Sequence, residues 1–338
     1  MIEIKNLEMT FPGNGGLLSQ TSFKALRGIN MKIQDGSAIS VIGESGCGKT
    51  TLGRILAGYQ RHTDGHVYFD GRDVDTLNKK ERKAEFLKVQ LIQQDPYAAL
   101  NPSRTLGKAL YEPLRLRAKA IGENHAWIEK RMEYLLALVG LDPVSTVHKY
   151  QHNLSGGQRQ RFVIARSLTV DPKVLIADEA VSMIDVSLRL EVLNLLNDLR
   201  SRLGISVIFI THDVAAARYI ADESQLYVIY KGEIVEQGKT DEVISKPMHP
   251  YTQSLLSAMP VLKGLESPGP ERFDPIEAPN EDPVDTHCLF AQRCPFAQDK
   301  CFKEHPQLEK VVDDSRFTAC FYPTPRRVAP VSNERDVS

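Results

Sequence analysis

A glycine-rich segment at residues 43–50, GESGCGKT, fits the pattern G-x-x-x-x-G-K-[ST] without a mismatch. An apolar strand is predicted before it and a helix after it, which is the context that a phosphate-binding loop requires. The glycines allow successive N–H groups to point at one anion, and the helix N-terminus adds its dipole. Lys49 would reach the β- and γ-phosphates of a nucleotide, the Thr50 hydroxyl would bind Mg²⁺, and Thr51 would lie at the α-phosphate. The other phosphate-binding residues predicted in this loop are Ser45, Gly46, Cys47 and Gly48.

Two acidic residues, Asp178 and Glu179, follow a second apolar strand predicted at residues 174–177. Asp178 would hold the Mg²⁺ shell. Glu179 would sit beyond the γ-phosphate and either accept a proton from the attacking water or orient that water. Strands often end in acids, so the pair becomes a strong signal only in combination with the phosphate loop. Together they predict hydrolysis of a bound nucleotide.

These groups must be positioned by the elements around them. Strand patterns fill residues 1–40, a helical pattern covers residues 103–145, and strands and helices alternate from residue 155 onward. Alternating βαβ units predict a parallel sheet covered on both faces, and the initial strands predict a separate antiparallel piece. The predicted fold class is therefore α/β.

Composition and charge exclude several classes of protein. The chain has 338 residues, 42% of them hydrophobic and 25% charged, as in ordinary globular proteins of about two domains. Its net charge of −1 provides no global basic field, so nucleic acid is not an expected partner. No apolar run approaches the roughly 20 residues that span a bilayer. The first residues lack the apolar core of a signal peptide.

A third motif points to a family. Residues 154–161, LSGGQRQR, closely resemble the signature of ABC-type ATPases, and the other motifs of that family follow in order. Gln94 matches the Q-loop glutamine, Asp185 ends the D-loop match, His212 matches the switch histidine, and Phe11 matches the aromatic residue that stacks on adenine. The resemblance implies a P-loop NTPase (RecA-like) parallel-sheet core with an antiparallel β subdomain and a helical subdomain.

The resemblance also implies roles for these residues. ATP would be bound by the loop, by Phe11, Gln94 and Asp185, and by a signature segment whose contacting residues are Ser155, Gly156, Gly157 and Gln158. Mg²⁺ would be held by Thr50, Gln94 and Asp178. The catalytic residues would be Lys49, Gln94, Glu179 and His212. A nucleotide-binding subunit that does not hydrolyse ATP is the alternative that Glu179 and His212 argue against.

Further matches narrow the resemblance to the oligopeptide/dipeptide branch of importers, over roughly residues 1–323. They include QDPY from Gln94 and HPYTQ at residues 249–253. The implied domains are an ATP-binding domain at 1–240, with a helical subdomain at about 95–165, and a small irregular extension at 241–338 with a disordered tail. Two departures, Ala180 in place of the usual proline and Met183-Ile184 in place of Ala-Leu, leave the catalytic groups intact.

The branch implies a set of partners. Two such domains would dimerise head to tail, the second being a different chain or, as the alternative, an identical one, with each ATP between the loop of one subunit and the signature of the other. Two membrane permease subunits would contact the dimer at the cytoplasmic face of the inner membrane, and an extracytoplasmic substrate-binding protein would act indirectly. The expected cargo is a dipeptide or oligopeptide. Nickel or oligosaccharide import, and a soluble ABC ATPase without a transport role, remain alternatives.

Four cysteines crowd the last 51 residues: Cys288, Cys294, Cys301 and Cys320. Their uneven spacing does not fit a secreted disulfide scaffold, and it indicates a reducing compartment. In some members of the resembling branch this segment carries a [4Fe–4S] cluster, so the four thiols are predicted to be its ligands. Zinc and free structural thiols remain the alternatives, because the spacing lacks paired C-x₂₋₄-C motifs.

Overall fold

The computed structural model describes residues 1–12, 22–221, 224–258, 271, 275–277, 285–311 and 314–328. Its strands are β1 (Ile2–Pro12), β2 (Ser22–Ile33), β3 (Ala38–Ile42), β4 (Asp64–Phe69), β5 (Arg72–Asp73), β6 (Val89–Ile92), β7 (Val174–Asp178), β8 (Ser206–Thr211), β9 (Gln225–Tyr230), β10 (Glu233–Lys239), β11 (Glu309–Lys310) and β12 (Phe317–Thr318). Its helices are α1 (Lys49–Leu56), α2 (Lys79–Leu87), α3 (Leu106–Ile121), α4 (His125–Leu138), α5 (Pro143–Thr146), α6 (Gly156–Ser167), α7 (Val186–Leu203), α8 (Val214–Ala221), α9 (Thr240–Ser245) and α10 (Pro250–Ser257).

The main sheet has the strand order β11-β12-β10-β9-β3-β8-β7-β6. Strands β9, β3, β8, β7 and β6 are parallel, and β10, β12 and β11 continue the sheet in antiparallel pairs. Every residue of β3, β7 and β8 is buried. Their continuous apolar sequences follow from this, since both faces of a parallel sheet are covered. The predicted α/β class with a parallel core is confirmed.

A second sheet, with the order β2-β1-β4-β5, is antiparallel. Its buried side chains, such as Ile4 and Leu26, belong to one core with Leu52 of α1 and Val41 of β3. This shared core holds the phosphate loop between the two sheets, because the loop connects β3 to α1. The predicted antiparallel piece is therefore present and packs directly beside the loop.

Helices α3, α4 and α5 form the predicted helical region. Each begins at a side chain that accepts a backbone N–H of the first turn: Thr105, Asn124 and Asp142 respectively. Helix α3 ends at Gly122, whose φ of 77° favours glycine. Apolar side chains of α3 and α4 pack with α6 and α7 in a second core, so the region is anchored to the helix that carries the signature.

The extension joins the main sheet. Strand β12 pairs with β10, and β11 pairs with β12, so residues far along the chain prolong the sheet beyond β10. The predicted linker at residues 261–286 lies mostly outside the described residues, as does the predicted disordered tail beyond residue 328. The domain boundary near residue 240 stays a prediction. No helix in the described part of the chain has both the length and the apolar character to cross a membrane.

Candidate active site

Close backbone packing fixes the phosphate loop. Gly43 adopts a φ of +157°, and a Cβ there would lie 2.2 Å from the Ile229 carbonyl oxygen at the end of β9. Gly48 has a φ of +104°, and a Cβ there would lie 2.3 Å from the Ala25 carbonyl oxygen in β2. Both positions therefore require glycine. Gly48 is also the N-cap of α1 and offers no side chain to the first-turn N–H groups, so these stay available to an anion.

Lys49 is buried inside the loop. Its Nζ atom donates to the carbonyl oxygens of Gly43 at 2.7 Å and Glu44 at 2.8 Å. The Cys47 sulfur lies 3.7 Å from the same nitrogen. Burial raises the pKa of the Cys47 thiol, which keeps that thiol protonated beside the ammonium. The loop thus carries one buried positive charge surrounded by its own backbone.

Asp178 ends β7, and its geometry suits a cation. The side chain is 4% exposed, its Oδ1 atom has no hydrogen-bond partner among the described residues, and the Thr50 hydroxyl hydrogen-bonds to its carboxylate. Burial raises the pKa of Asp178, and the neighbouring Glu179 raises it further, although the Thr50 bond and Lys49 act in the opposite direction. A buried, partly unpaired carboxylate beside a hydroxyl is the hard-oxygen set that Mg²⁺ binds. Asp178 and Thr50 therefore fit the predicted magnesium.

Gln94 lies near the same edge of the sheet. It follows β6 by two residues, and β6 pairs with β7 so that Ile92 is opposite Ala177. Because the strands are parallel, the residues beyond Ile92 and beyond Ala177 emerge at the same end. Gln94 is exposed, so its amide oxygen is accessible to a ligand. The structure thus places Gln94 at the edge that carries the two acids.

Glu179 and His212 form a pair across neighbouring strand ends. The His212 Nδ1 atom lies 2.9 Å from Oε1 and 2.8 Å from Oε2 of Glu179. Strands β7 and β8 bring them together, since Asp178 is opposite Ile210 in the register. The Glu179 side chain is 13% exposed and that of His212 is 57% exposed. Glu179 has a φ of 52°, a conformation that costs a residue with a Cβ about 1 kcal/mol and that recurs at functional sites.

The signature segment begins α6 at the surface. The Ser155 hydroxyl accepts the Gln158 N–H at 3.2 Å, and the Gln158 side chain accepts the Ser155 N–H at 3.1 Å. This capping box orders the first turn. Ser155, Gly156 and Gln158 are exposed, whereas Gly157 is buried against Leu188. The segment therefore presents an ordered helix N-terminus to the outside of the chain.

Sequence reasoning missed the role of Arg159 in this segment. Arg159 is 3% exposed and donates to the carbonyl oxygens of Gln151 and Leu154, while its guanidinium lies 3.7 Å from the ring centroid of Tyr97. Tyr97 lies three residues beyond Gln94, so this stack joins the segment after β6 to the signature. The repeated arginines of GGQRQR were the available signal.

Phe11 and Asp185, the two remaining predicted ATP contacts, lie in β1 and at the start of α7. Phe11 is half-buried in β1, opposite Phe23 of β2, in the sheet that packs beside the loop. Asp185 is exposed at the N-cap of α7, where its side chain makes no capping hydrogen bond. Phe11 also packs against the apolar core that the antiparallel sheet shares with α1, so only part of its ring is accessible.

The environment of the four C-terminal cysteines contradicts the predicted iron–sulfur cluster. Their thiols are free and line one cavity of about 20 Å³, which has room for about one water. Burial raises the pKa of Cys288 to about 11 and of Cys320 to about 12, so both thiols are protonated at neutral pH when no cation is bound. Within the described ranges, no group of three or more His, Cys, Asp or Glu side chains is arranged to hold a metal ion. The predicted [4Fe–4S] cluster at Cys288, Cys294, Cys301 and Cys320 is therefore wrong.

Comparisons with known proteins agree with this geometry. Residues 26–182 match the ABC transporter family, and residues 235–301 match the oligopeptide/dipeptide transporter C-terminal region. The chain is 39% identical to the dipeptide transport ATP-binding protein DppF of Haemophilus influenzae over 94% of each chain. It is 37% identical to the oligopeptide transport ATP-binding protein OppF of Escherichia coli, over 91% of this chain and 92% of that one.

A solved structure supports the fold assignment. The dimeric ATP-binding cassette MJ0796, in a post-hydrolysis state bound to ADP and Pi, superposes with a TM-score of 0.61 and 26% identity. The match covers 71% of this chain and 99% of that one. The chain thus belongs to the ABC transporter family, among the ATP-binding subunits of its oligopeptide/dipeptide branch.

Proposed function

We propose that this chain binds Mg·ATP at loop 43–51 and hydrolyses it to ADP and phosphate to power the import of peptides. One observation carries the proposal. The strand ends of the main sheet bring the buried Lys49 loop, the Thr50–Asp178 pair and the Glu179–His212 pair to one edge. These are the groups that phosphoryl transfer to water needs: charge neutralisation, a cation site and a base beside a positioned donor.

Each side chain has a separate task in this mechanism. Lys49 turns its ammonium from the loop carbonyls toward the β- and γ-phosphate oxygens, where negative charge accumulates in the transition state. Thr50, Asp178 and Gln94 would hold Mg²⁺, which supplies further charge neutralisation. Glu179 accepts a proton as water attacks the γ-phosphorus and the bond to the ADP oxygen breaks. The His212 Nδ1 atom contacts the Glu179 carboxylate, so Nε2 can donate to a γ-phosphate oxygen when both ring nitrogens carry a proton.

The exposed signature fits a second subunit. Ser155, Gly156, Gly157 and Gln158 would contact ATP held by the loop of that subunit, in a head-to-tail dimer whose other member is a different chain. The MJ0796 cassette provides a dimeric precedent. Two membrane permeases would bind the dimer at the cytoplasmic face of the inner membrane, with a substrate-binding protein outside. Relatives named as dipeptide and oligopeptide transport proteins support a peptide cargo.

The first prediction separates hydrolysis from binding. Glu179→Gln should keep ATP binding and lower turnover by about 100-fold or more, because the water loses its base while the phosphate cradle stays intact. Lys49→Ala should weaken ATP binding itself. The measurements are ATP affinity of the purified chain and phosphate release by the transporter assembled in liposomes. Glu129→Gln is the matched control, since Glu129 is an exposed helical glutamate beside His125.

Uptake by the same liposomes tests the cargo. A labelled dipeptide should accumulate with wild-type protein and not with Glu179→Gln protein. Accumulation of Ni²⁺ or an oligosaccharide without peptide uptake would replace the cargo assignment while leaving the ATPase intact. Wild-type phosphate release by the Glu179→Gln transporter would contradict the catalytic assignment.

A further inference from the structure

Among the described residues, the extension forms hydrogen bonds with the phosphate loop through Glu44. The Glu44 N–H donates to the Tyr251 hydroxyl at 2.8 Å. Its carboxylate accepts both terminal nitrogens of Arg293, each at 3.0 Å. Its carbonyl oxygen accepts Lys49 Nζ at 2.8 Å. Glu44 follows the first glycine of the phosphate loop, so one loop residue connects the extension directly to the catalytic lysine.

Tyr251 is held rigidly in the extension. The side chain is fully buried, and its ring lies 4.5 Å from that of Tyr230 and 5.6 Å from that of Phe290. Helix α10 begins with His249, whose Nδ1 accepts the Tyr251 N–H at 3.0 Å, and Pro250 occupies its first turn. The HPY sequence thus starts a helix and directs a buried tyrosine at the loop.

Arg293 is held by the same aromatic cluster. Its guanidinium lies 5.8 Å from the centroid of the Tyr230 ring and 5.7 Å from that of Phe290. It ends the short 3₁₀ turn Ala291–Arg293, which fixes its backbone. A planar guanidinium that binds both oxygens of one carboxylate defines the orientation as well as the position of its partner. Arg293 therefore restrains the Glu44 side chain, while Tyr251 restrains its backbone.

We propose that Tyr251 and Arg293 are positioning residues of the ATP site, acting on the phosphate loop through Glu44. A glycine-rich loop must be ordered before its N–H groups converge on a phosphate, and the free energy of that ordering is subtracted from ATP binding. Contacts that hold the loop in place before ATP arrives reduce this cost. The inference rests on the proposed function in one respect, namely that ATP binds at this loop.

Calorimetric titration of the full-length chain with Mg·ATP tests the proposal. Arg293→Gln and Glu44→Gln should each weaken ATP binding about three- to tenfold. This loss is smaller than the one expected for breaking a fully buried ion pair, because both side chains are partly exposed. The double variant should bind no more weakly than the weaker single variant, since either change already breaks the pair. Arg293→Lys keeps the charge without the bidentate geometry, so its ATP affinity should fall between those of the wild type and Arg293→Gln.

Two further variants control for folding. Tyr251→Phe removes one hydroxyl and keeps the ring in its cluster, so it should also weaken ATP binding without unfolding the extension. Arg326→Gln is the matched control, because Arg326 is an equally half-buried extension arginine that pairs with Glu271 and stacks on Phe296 away from the loop. It should bind ATP like the wild type. The thermal midpoint of each variant is measured without nucleotide to show that it is folded.

Each result has a defined meaning. Wild-type ATP affinity in both Arg293→Gln and Tyr251→Phe proteins would overturn the proposal, as would additive losses in the Glu44/Arg293 double variant. Equal loss in Arg326→Gln protein would also overturn it, because the effect would then be a general one on the extension. Failure of wild-type protein to bind ATP, or unchanged binding after Lys49→Ala, would instead contradict the proposed function.

Discussion

Two buried titratable residues are in contact where the HPY segment meets β10: Glu236 and His249. The Glu236 carboxylate accepts the N–H groups of Met248 at 2.8 Å and His249 at 2.9 Å. Burial raises the pKa of Glu236 from an ordinary 4.5 to about 7. Burial lowers the pKa of His249 from an ordinary 6.5 to about 3. The folded chain therefore keeps both groups neutral over a range in which the unfolded chain charges them.

The two groups affect stability in opposite directions. Folded Glu236 binds more protons than unfolded Glu236 between pH 4.5 and 7, so its contribution is complete below 4.5 and is lost as pH rises through 7. Unfolded His249 binds more protons than folded His249 between pH 3 and 6.5, so its contribution is complete above 6.5 and is lost as pH falls. Between pH 4.5 and 6.5 the two slopes offset each other.

Comparing the wild type with a variant that lacks one group should isolate how that group changes the free energy of unfolding with pH. As pH rises from 4.5 to 7, wild-type protein should lose stability relative to Glu236→Gln by up to about 1.4 kcal/mol per pH unit. As pH falls below 6.5, wild-type protein should lose stability relative to His249→Asn. Asparagine preserves a side-chain acceptor at the N-cap of α10. Urea midpoints across this range measure both effects. Parallel pH profiles for all three proteins would show that neither group is titrated as described.

Residue types in the site were predictable where the chemistry is local. The loop lysine and threonine lie side by side in one motif, and Asp178 and Glu179 end one apolar strand. Predicting the Glu179–His212 contact would have required knowing that β7 and β8 are neighbours in the sheet, as well as their sequences. The Glu44–Arg293 contact joins residues 249 positions apart, and no local pattern marks it. Long-range polar partners are chosen by tertiary packing, which periodicity does not encode.

At the scale of elements, the least predictable feature was the continuation of the main sheet into the extension. Strands β11 and β12 have two residues each, too short for an alternating pattern. What specifies them is contact with β10: the Ala319 N–H donates to the Val235 carbonyl oxygen at 2.8 Å. By contrast, β3, β7 and β8 were predictable, because a strand that is buried on both faces has a mostly apolar sequence.

The β10–β12 contact depends on a small residue. A Cβ on Gly238 would lie 2.4 Å from Arg316 Cγ and 3.2 Å from Val243. Arg316 has little room to yield, since it is buried, donates to the Glu242 carbonyl oxygen at 3.0 Å and pairs with Asp314. Gly238→Ala should therefore lower the free energy of unfolding by about 1–3 kcal/mol through overpacking.

Urea unfolding measures this effect, with Gly156→Ala as the control. An added Cβ on Gly156 would meet nothing within 4 Å, and the position is the first of α6, where alanine is well tolerated. The control protein should unfold at the wild-type midpoint or above it. Equal midpoints for the two alanine variants would show that Arg316 moves aside at no cost.

At the scale of the whole molecule, the predicted ATP-binding groups belong to elements that pack in different cores. The loop, Asp178, Glu179 and His212 converge at one edge of the main sheet. The signature begins a helix that is packed with the helical region through the second core, and its contacting residues are exposed. An exposed, capped helix N-terminus that contacts no carboxylate in the described part of the chain suits an anion supplied by another subunit.

This division makes the Ser155 prediction specific to assembly. Ser155→Asp keeps a good N-cap on α6, so the helix should persist, but in the proposed dimer it would place a carboxylate against the γ-phosphate held by the second subunit. In a Glu179→Gln background, which keeps ATP unhydrolysed, Mg·ATP should drive association with that subunit. Ser155→Asp should abolish the association while the isolated chain keeps its ATP affinity. Sedimentation velocity measures the first quantity and calorimetry the second.

Thr105→Asp provides the matched control, because it also converts the hydroxyl N-cap of a helix, α3, to aspartate. Like-charge repulsion requires the carboxylate to lie beside the phosphate, so the same substitution at Thr105 should leave ATP-driven association unchanged. If Ser155→Asp protein lost ATP affinity as an isolated chain, Ser155 would have to reach its own loop. If it associated as readily as the Thr105→Asp protein, the signature would lie outside the interface. Only loss of association with unchanged affinity places Ser155 at the ATP of the other subunit.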